Sequence, residues 1–368
     1  MRNWSRMRVI NDLNMRTKNY HMYKINLKIA ALFATLLLLW ACEPKFEDYD
    51  FNAVYFPHQF PVRTISLGED FFDNSNDRDH TFEIGVVIGG MYENTSEWTV
   101  YFEVDESLAD SLLTSNGDTI RALPSSYYSL SNNEYITIPE GSFNGTIEVQ
   151  LTDAFFEDTM ATGVQYVVPL RITDTDADSI LSGDPKASVP DPDIRFEGDW
   201  NSGATPKNFT LFGVKFINDM HGDFLYRGYD LKTFNGKTID TTITRTDYLV
   251  DSEIWSLRTS ALNAVQTNAV SFHISSDGLY KMELLLNNDN TISIKPLEGS
   301  LIEPYQTGAN GTSTFVQDGA EWGGKPRDVM YLNYSYMEGG VLEHFVNDTL
   351  VFRDRAIKFE VFTPVRME

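Results

Sequence analysis

Aromatic and amide side chains in the second half of the chain have the chemistry of a sugar-binding surface. Aromatic rings pack against the C–H faces of sugars, while amides and carboxylates hydrogen-bond to the hydroxyls. The candidate residues are Trp200, Trp255, Trp322, Tyr331 and Asn333. Trp322 lies in a glycine-rich segment that favours exposure, and Tyr331 and Asn333 alternate on the polar face of a predicted strand. The alternative interpretation is that most of these rings pack in the core or across hairpins.

Sequence motifs that would indicate catalysis are absent. The chain has no His-Glu-x-x-His zinc motif and no Gly-x-Ser-x-Gly nucleophile elbow. Glycosidases need two carboxylates at a defined separation, and among 53 Asp and Glu residues some pair will meet that separation by chance. We therefore expect no catalytic residue, no metal and no cofactor, and a protein that is not an enzyme.

The charge and cysteine content exclude several classes of protein. Asp and Glu total 53 against 29 Lys and Arg, a formal net charge of −24. Nucleic-acid binding needs clustered cations to neutralise phosphates, so we expect no nucleic-acid partner. A single cysteine rules out an intramolecular disulfide framework and a cysteine-rich zinc site. The same charge favours a neutral ligand over an anionic one.

An apolar segment near the amino terminus predicts a secretion signal. Residues 29–40 are uncharged and almost wholly apolar. This segment is too short for a membrane span of about 20 residues, but it has the length of a signal-peptide core. Lys24 and Lys28 supply the positive flank. We predict a signal peptide over residues 1–41, with Met22 as an alternative translation start.

The single cysteine directly follows this segment. Residues 39–42 read Leu-Trp-Ala-Cys, which resembles the lipobox of bacterial lipoproteins. The resemblance implies that Cys42 is lipidated and anchors the protein to a membrane without a spanning helix. Residues 42–50 then form an acidic tether that resembles the surface-export signal of Bacteroidetes lipoproteins, which implies the outer face of the outer membrane. The alternatives are a plain secretion signal and a tether that faces the periplasm.

Alternation of apolar and polar residues predicts an all-β protein of two domains. Residues 51–182 alternate with period 2 between turn clusters, which predicts an antiparallel β-sandwich. Residues 183–193 are proline-rich and predict a linker. Residues 194–368 predict an antiparallel β-barrel or second sandwich, with a hairpin at the Asn-Gly pair 235–236. The helical candidate in this second block is residues 251–263.

Two stretches of the first block and one of the second resemble a known family. They are residues 135–153 (YITIPEGSFNGTIEVQLTD), residues 166–182 (YVVPLRITDTDADSILS) and residues 348–360 (DTLVFRDRAIKFE). They resemble a Bacteroidetes cell-surface lipoprotein family of the polysaccharide-utilisation type. The resemblance implies an N-terminal immunoglobulin-like domain, found in relatives ahead of endo-glycosidase-like and laminin-G-like modules, and a C-terminal barrel-like domain of unknown function. These stretches carry no catalytic residues.

The leading hypothesis is a non-catalytic surface lipoprotein that binds glycan or oligosaccharide for an adjacent uptake system. Its expected partners are the glycan, an outer-membrane transporter complex and the membrane that holds its lipid anchor. Two alternatives remain open. One is an adhesin or pilus-type structural subunit, and the other is a glycoside hydrolase whose active site the sequence does not reveal.

Overall fold

Strands dominate the part of the chain that the structure describes. A computed structural model describes residues 51–70, 72–267, 281–300, 302–307 and 311–367. The protein is nearly all-β, with 52% strand and 8% helix, which confirms the predicted fold class. The predicted signal peptide, Cys42 and the acidic tether lie outside the described residues.

The elements are short in the first half of the chain and long in the second. The strands up to Ile217 are β1 (Ala53–Tyr55), β2 (Pro61–Ser66), β3 (Thr81–Gly89), β4 (Trp98–Val104), β5 (Leu112–Leu113), β6 (Arg121–Ala122), β7 (Tyr128–Leu130), β8 (Tyr135–Ile138), β9 (Asn144–Leu151), β10 (Tyr166–Thr175), β11 (Ser179–Ile180) and β12 (Phe209–Ile217). The later strands are β13 (Gly222–Phe234), β14 (Lys237–Thr244), β15 (Glu253–Ala261), β16 (Ala264–Thr267), β17 (Met282–Leu286), β18 (Ile292–Pro296), β19 (Thr314–Trp322), β20 (Lys325–Glu338), β21 (Leu342–Asp354), β22 (Glu360–Val361) and β23 (Val365–Arg366). The α-helices are α1 (Ser75–Arg78) and α2 (Asp153–Glu157), and the 3₁₀ turns are Glu106–Ala109, Thr159–Thr162, Glu197–Asp199 and Leu249–Asp251.

Two sheets pack face to face to form a sandwich. One has the strand order β11-β1-β3-β9-β7, and the other has the order β22-β2-β12-β10-β4-β8, with β6 pairing β10. Strict alternation explains this packing: in β9 every second residue is buried and every other one is exposed. The buried residues of both sheets meet in one apolar core that includes Phe56, Ile84, Val168 and Phe216.

The third sheet is curled into a half-barrel. Its strand order is β18-β17-β16-β15-β13-β21-β20-β19, with β14 pairing β13. The predicted hairpin at 235–236 is confirmed, since it joins β13 to β14 and both Asn235 and Gly236 have positive φ. The predicted helix over 251–263 is wrong, because these residues contain β15. Trp255 and Leu257 are two residues apart and both point into the core, which is the spacing of a strand.

The half-barrel is inserted into the sandwich. Strand β12 lies between β2 and β10 in the sandwich, so the chain leaves the sandwich after Ile217 and not at the predicted boundary near residue 194. The chain then returns, because β22 pairs β2 and β23 pairs β5. Phe362 also packs on Phe60 in the sandwich. Among the described residues, no helix is long and apolar enough to cross a bilayer.

Candidate functional site

The convex side of the half-barrel carries polar and aromatic side chains that the strand register aligns. In β13, β20 and β21 the even-numbered residues, such as Tyr226, Leu332 and Leu350, point into the core. The odd-numbered residues therefore point outward. We define the outer face by six of them: Arg227, Tyr229, Tyr331, Asn333, Asn347 and Thr349.

Two rows of residues cross the outer face. Tyr331 is opposite Thr349, which is opposite Arg227. One step along the strands, Asn333 is opposite Asn347, which is opposite Tyr229. Each tyrosine thus stands at one end of its row, and the amides, hydroxyl and guanidinium lie between them.

The two tyrosines are the exposed aromatic rings of this face. Tyr229 is 36% exposed and Tyr331 is 37% exposed. They are separated by two strand spacings of about 4.8 Å and one step of about 6.8 Å along the strands, or roughly 12 Å in all. Rings that stack on each other have centroids roughly 4.5–7 Å apart. Each tyrosine therefore presents its own surface to a ligand.

The polar residues between the tyrosines are held in defined positions. The Asn333 side-chain amide donates to the Thr312 carbonyl at 2.9 Å, and the Asn333 backbone N–H donates to Ser313 Oγ at 2.8 Å. The Arg227 Nε is buried and has no hydrogen-bond partner among the described residues. Because that Nε is closed to solvent, only the other N–H groups of the half-buried guanidinium could reach a ligand oxygen.

Trp322 extends the outer face at its far end. It packs beside a small outward-facing cluster of Leu225, Val329 and Val351. The Arg327 guanidinium lies over its ring at 4.7 Å, and Arg327 Nε donates to the Trp322 carbonyl at 3.1 Å. Val329 is two residues from Tyr331 on the same side of β20. The structure therefore places Trp322, Tyr331 and Asn333 on one side of the half-barrel.

Trp200 and Trp255, the other two predicted residues, do not lie on this face. Trp255 points into the half-barrel core, where its ring stacks on Tyr226 with centroids 4.4 Å apart. Trp200 is buried beside the predicted linker, and its Nε1 donates to the Asp193 carbonyl at 3.0 Å. Their flat rings fill space between elements, so we correct both residues from ligand-binding to packing roles.

A buried polar cluster lies beneath the outer face. Asp348 accepts hydrogen bonds from the Tyr226 hydroxyl at 3.0 Å and the Tyr334 hydroxyl at 2.8 Å. Gly228 lies directly opposite Asp348, and a side chain there would collide with the Tyr226 hydroxyl and the Asp348 carboxylate. Burial, together with Asp348, raises the pKa of Tyr226. The phenol therefore stays protonated and remains a donor.

A histidine continues this cluster toward the hairpin ends. His344 Nδ1 is 2.8 Å from Asp230 Oδ2, and its Nε2 is 3.0 Å from Glu338 Oε2. The Tyr336 ring stacks on the imidazole with centroids 4.2 Å apart. Burial disfavours the imidazolium, but the hydrogen bonds to Asp230 and Glu338 outweigh this effect and raise the pKa of His344. The cluster ties β13, β20 and β21 together beneath the outer face.

Sequence reasoning missed these buried groups. Asp230, His344 and Asp348 occupy inner-face positions at which the alternating pattern predicts apolar side chains. The signal that could have found two of them is that break in the pattern, because His344 and Asp348 each lie between apolar residues two positions away. Asp230 gives no such signal, since Gly228 and Lys232 flank it at that spacing.

Comparisons with known proteins match this division of the chain. Residues 49–179 match a family model for an N-terminal domain. Residues 219–356 match DUF5627, a domain of unknown function, and this range brackets the inserted half-barrel. A crystal structure of a protein of unknown function from Bacteroides ovatus is similar to this chain, with 32% identity and a TM-score of 0.74. The match covers 87% of this chain and 100% of that one. The chain therefore belongs to the same protein family as that B. ovatus protein.

Two further crystal structures are more distant. A second B. ovatus protein of unknown function has 16% identity and a TM-score of 0.42, covering 85% of this chain and 99% of that one. An auxiliary nutrient-binding protein from Bacteroides thetaiotaomicron VPI-5482 has 14% identity and a TM-score of 0.38, covering 79% of this chain and 90% of that one. No curated protein is significantly similar to this chain.

Proposed function

We propose that this protein is a lipid-anchored cell-surface protein that binds glycan without chemical turnover, and that the outer face is its binding surface. The observation that carries the proposal is the pair of exposed tyrosines, Tyr229 and Tyr331, which flank a row of amide, hydroxyl and guanidinium groups. Aromatic faces receive sugar C–H groups, and the polar groups between them receive hydroxyls.

The form and charge of this surface favour a neutral, extended glycan. The outer face is built on three long neighbouring strands, so it is broad rather than pocket-like. Two rings roughly 12 Å apart contact separate parts of one long ligand better than a single sugar. A net charge of −24 repels an anionic polysaccharide.

The anchoring part of the proposal rests on the amino terminus. Lipidation of Cys42, after removal of residues 1–41, would fix the protein to the outer membrane, and the acidic tether supports export to the cell surface. There the protein would supply glycan to an outer-membrane transporter complex.

Affinity gels test the binding part of the proposal. Soluble protein comprising residues 43–368 is run through gels that contain neutral plant or host polysaccharides. We expect retardation by at least one, and loss of retardation in the double variant Tyr229→Ala/Tyr331→Ala. The matched control is Tyr101→Ala/Tyr135→Ala, which removes an exposed pair of tyrosines on the sandwich whose centroids are 6.2 Å apart. No retardation of the wild type on any gel, or equal loss in both double variants, contradicts the proposal.

Detergent partitioning tests the anchor separately. The full chain expressed in a Bacteroides host is extracted with a detergent that separates into two phases. We expect the wild type in the detergent phase and Cys42→Ala in the aqueous phase, because two or more acyl chains give stable membrane binding. Wild-type protein in the aqueous phase would refute lipidation but leave glycan binding unaffected.

A further inference from the structure

A cleft lies where the half-barrel joins the sandwich. It consists of two adjoining cavities, of about 280 Å³ and about 250 Å³, that share Glu69 and Asp328 in their walls. The sandwich contributes the loop after β2, and the half-barrel contributes the bulged part of β19, the start of β20 and the turn before β18. We call this space the junction cleft. None of the predicted ligand-binding residues lines it.

A buried arginine fixes the two sides of the junction cleft. Arg355 is 2% exposed, and its guanidinium donates to the Glu69 carbonyl at 3.0 Å, to the His221 carbonyl at 2.9 Å and to the Asp219 carbonyl. Gly68 makes this possible, because a side chain at that position would collide with the guanidinium. One residue thus joins the sandwich loop to both segments that connect the half-barrel to the sandwich, so the cleft is preformed.

The lining of the larger cavity combines acceptors, donors and an apolar surface. Asp328 supplies a carboxylate, of which Oδ1 accepts from the Asp318 backbone N–H at 3.0 Å. Burial raises the pKa of Asp328, so its carboxylate is poorly solvated and gains more from a ligand hydroxyl. Asn290 and Gln317 supply amides, and Phe315 with its neighbours supplies the apolar surface.

This combination matches one sugar residue better than other small ligands. Adjacent hydroxyls of a sugar donate to a carboxylate and accept from an amide at the same time. The ring C–H groups pack against an aromatic side chain. The larger cavity, of about 280 Å³, lies just below the usual range of ligand pockets, which is roughly 300–1,000 Å³. It therefore suits a chain end or a monosaccharide rather than a long chain.

We propose that the junction cleft is a second binding site, which takes the terminal residue of a neutral saccharide through Asp328, Gln317 and Asn290. This inference rests on the proposed function, and it adds recognition of a chain end to the binding of an extended chain by the outer face. Two sites of different form on one protein would hold a polysaccharide along its length and at its tip.

Saturation-transfer NMR and calorimetry test the proposal on the soluble protein comprising residues 43–368. The probes are the methyl glycosides of glucose, galactose, mannose and N-acetylglucosamine. We expect the wild type to bind at least one of them. We expect Asp328→Asn and Gln317→Ala each to weaken it at least about tenfold, because each removes one hydrogen bond to a desolvated ligand. The control is Asp240→Asn, an exposed acid on β14 that should leave binding unchanged.

The outcomes that would reject the junction cleft differ from those that would reject the outer face. Asp328→Asn preserves the acceptor for the Asp318 N–H, and Gln317 is exposed, so both variants should keep the wild-type melting temperature. If the wild type binds none of the glycosides, or if both variants bind them as well as the wild type, the junction cleft is not a saccharide site. Loss of gel retardation in Tyr229→Ala/Tyr331→Ala with unchanged glycoside binding assigns the two functions to separate surfaces. Glycoside binding without any gel retardation rejects the outer face alone.

Discussion

The sandwich and the half-barrel are both β-structures, yet their cores differ in polar content. The sandwich buries rings, such as Phe155, Phe156 and Phe216, in an apolar core. The half-barrel also buries rings, such as Trp255 and Tyr334, but its interior includes the carboxylates of Asp230 and Asp348 and the imidazole of His344. Apolar burial alone holds a fold together, whereas buried polar groups stabilise it only if every partner is in place.

This contrast indicates different roles for the two regions. The core strands of the sandwich follow the simple alternating rule, as expected of a spacer or scaffold. The half-barrel departs from that rule along two adjacent strands, β13 and β21, directly beneath the outer face. Departures of this kind are costly unless they position something, so they support the proposal that ligands bind to the half-barrel and its junction.

The largest expected change in the free energy of unfolding follows from removing the buried acceptor Asp348. Asp348→Ala leaves the hydroxyls of Tyr226 and Tyr334 buried without that acceptor, and each such group costs roughly 1–3 kcal/mol. We expect the free energy of unfolding to fall by about 4 kcal/mol, measured by urea denaturation. Asp247→Ala, which removes an exposed acid of the same region, should change it by less than about 0.5 kcal/mol. A similar small change in Asp348→Ala would show that the cluster does not stabilise the half-barrel.

The next largest change in stability is expected at the junction between the sandwich and the half-barrel. Arg355→Met removes the donor to three carbonyls and should lower the free energy of unfolding by about 2 to 3 kcal/mol. Arg353→Met, two residues away, removes only an exposed contact with Asp354 at 3.4 Å and should cost less than about 0.5 kcal/mol. Limited proteolysis provides a second measurement, because cutting in the two connections near His221 and Arg355 should accelerate only in Arg355→Met. Equal behaviour of both variants would mean that Arg355 does not clamp the junction.

How far the sequence predicts this fold depends on whether local patterns agree with tertiary contacts. The Asn-Gly pair at 235–236 predicts its hairpin because both residues tolerate positive φ, which is a local property. The strands of the sandwich follow their alternation. In contrast, β12 and β22 join the sandwich from positions far along the chain. No local signal encodes such pairing, so the insertion of the half-barrel could not be predicted.

The residues of the candidate site were also predictable only where a local pattern reveals them. Tyr331 and Asn333 were predictable because they alternate with apolar residues in one strand. Tyr229 and Asn347 were not, since their place beside Tyr331 and Asn333 depends on the register of β13 and β21. Trp200 and Trp255 were misassigned because residue type alone does not distinguish a buried ring from an exposed one. The junction cleft brings together loops separated by more than 200 residues, which no spacing in the sequence indicates.

A smaller change in the free energy of unfolding is expected from pH. The two histidines His344 and His221 make stability depend on pH in opposite directions. The pKa of His344 is raised in the folded protein, so its stabilisation is present below the unfolded value of about 6.5 and is lost as the pH rises through the folded value. Burial, with help from Arg258, lowers the pKa of His221 to about 3, so stability falls as the pH drops from about 6.5 toward 3. Urea midpoints at about pH 5, 6.5 and 8.5 measure both the loss of stability at high pH (the alkaline limb) and the loss at low pH (the acid limb).

The matched variants assign each limb to one histidine. We expect His344→Gln to flatten the alkaline limb and leave the acid limb in place. His221→Gln should do the reverse, although it also loses the contact with Thr259 at 3.1 Å. If His344→Gln loses as much stability at high pH as the wild type does, the contacts with Asp230 and Glu338 do not favour the imidazolium. The buried cluster of the half-barrel is then less tightly coupled than its geometry indicates.

The smallest change in stability is expected for Tyr229→Ala and Tyr331→Ala, the variants for which we expect the largest loss of glycan binding. Tyr229 and Tyr331 are more than one-third exposed, so truncating either to alanine removes cross-strand contacts, such as that of Tyr229 with Ile243, worth about 1 kcal/mol or less. Urea midpoints of Tyr229→Ala and Tyr331→Ala should therefore lie close to that of the wild type, while gel retardation by polysaccharide is lost. A large loss of stability in either variant would mean that the ring is part of the half-barrel core, and the contrast between the polar groups buried beneath the outer face and the rings presented on it would fail.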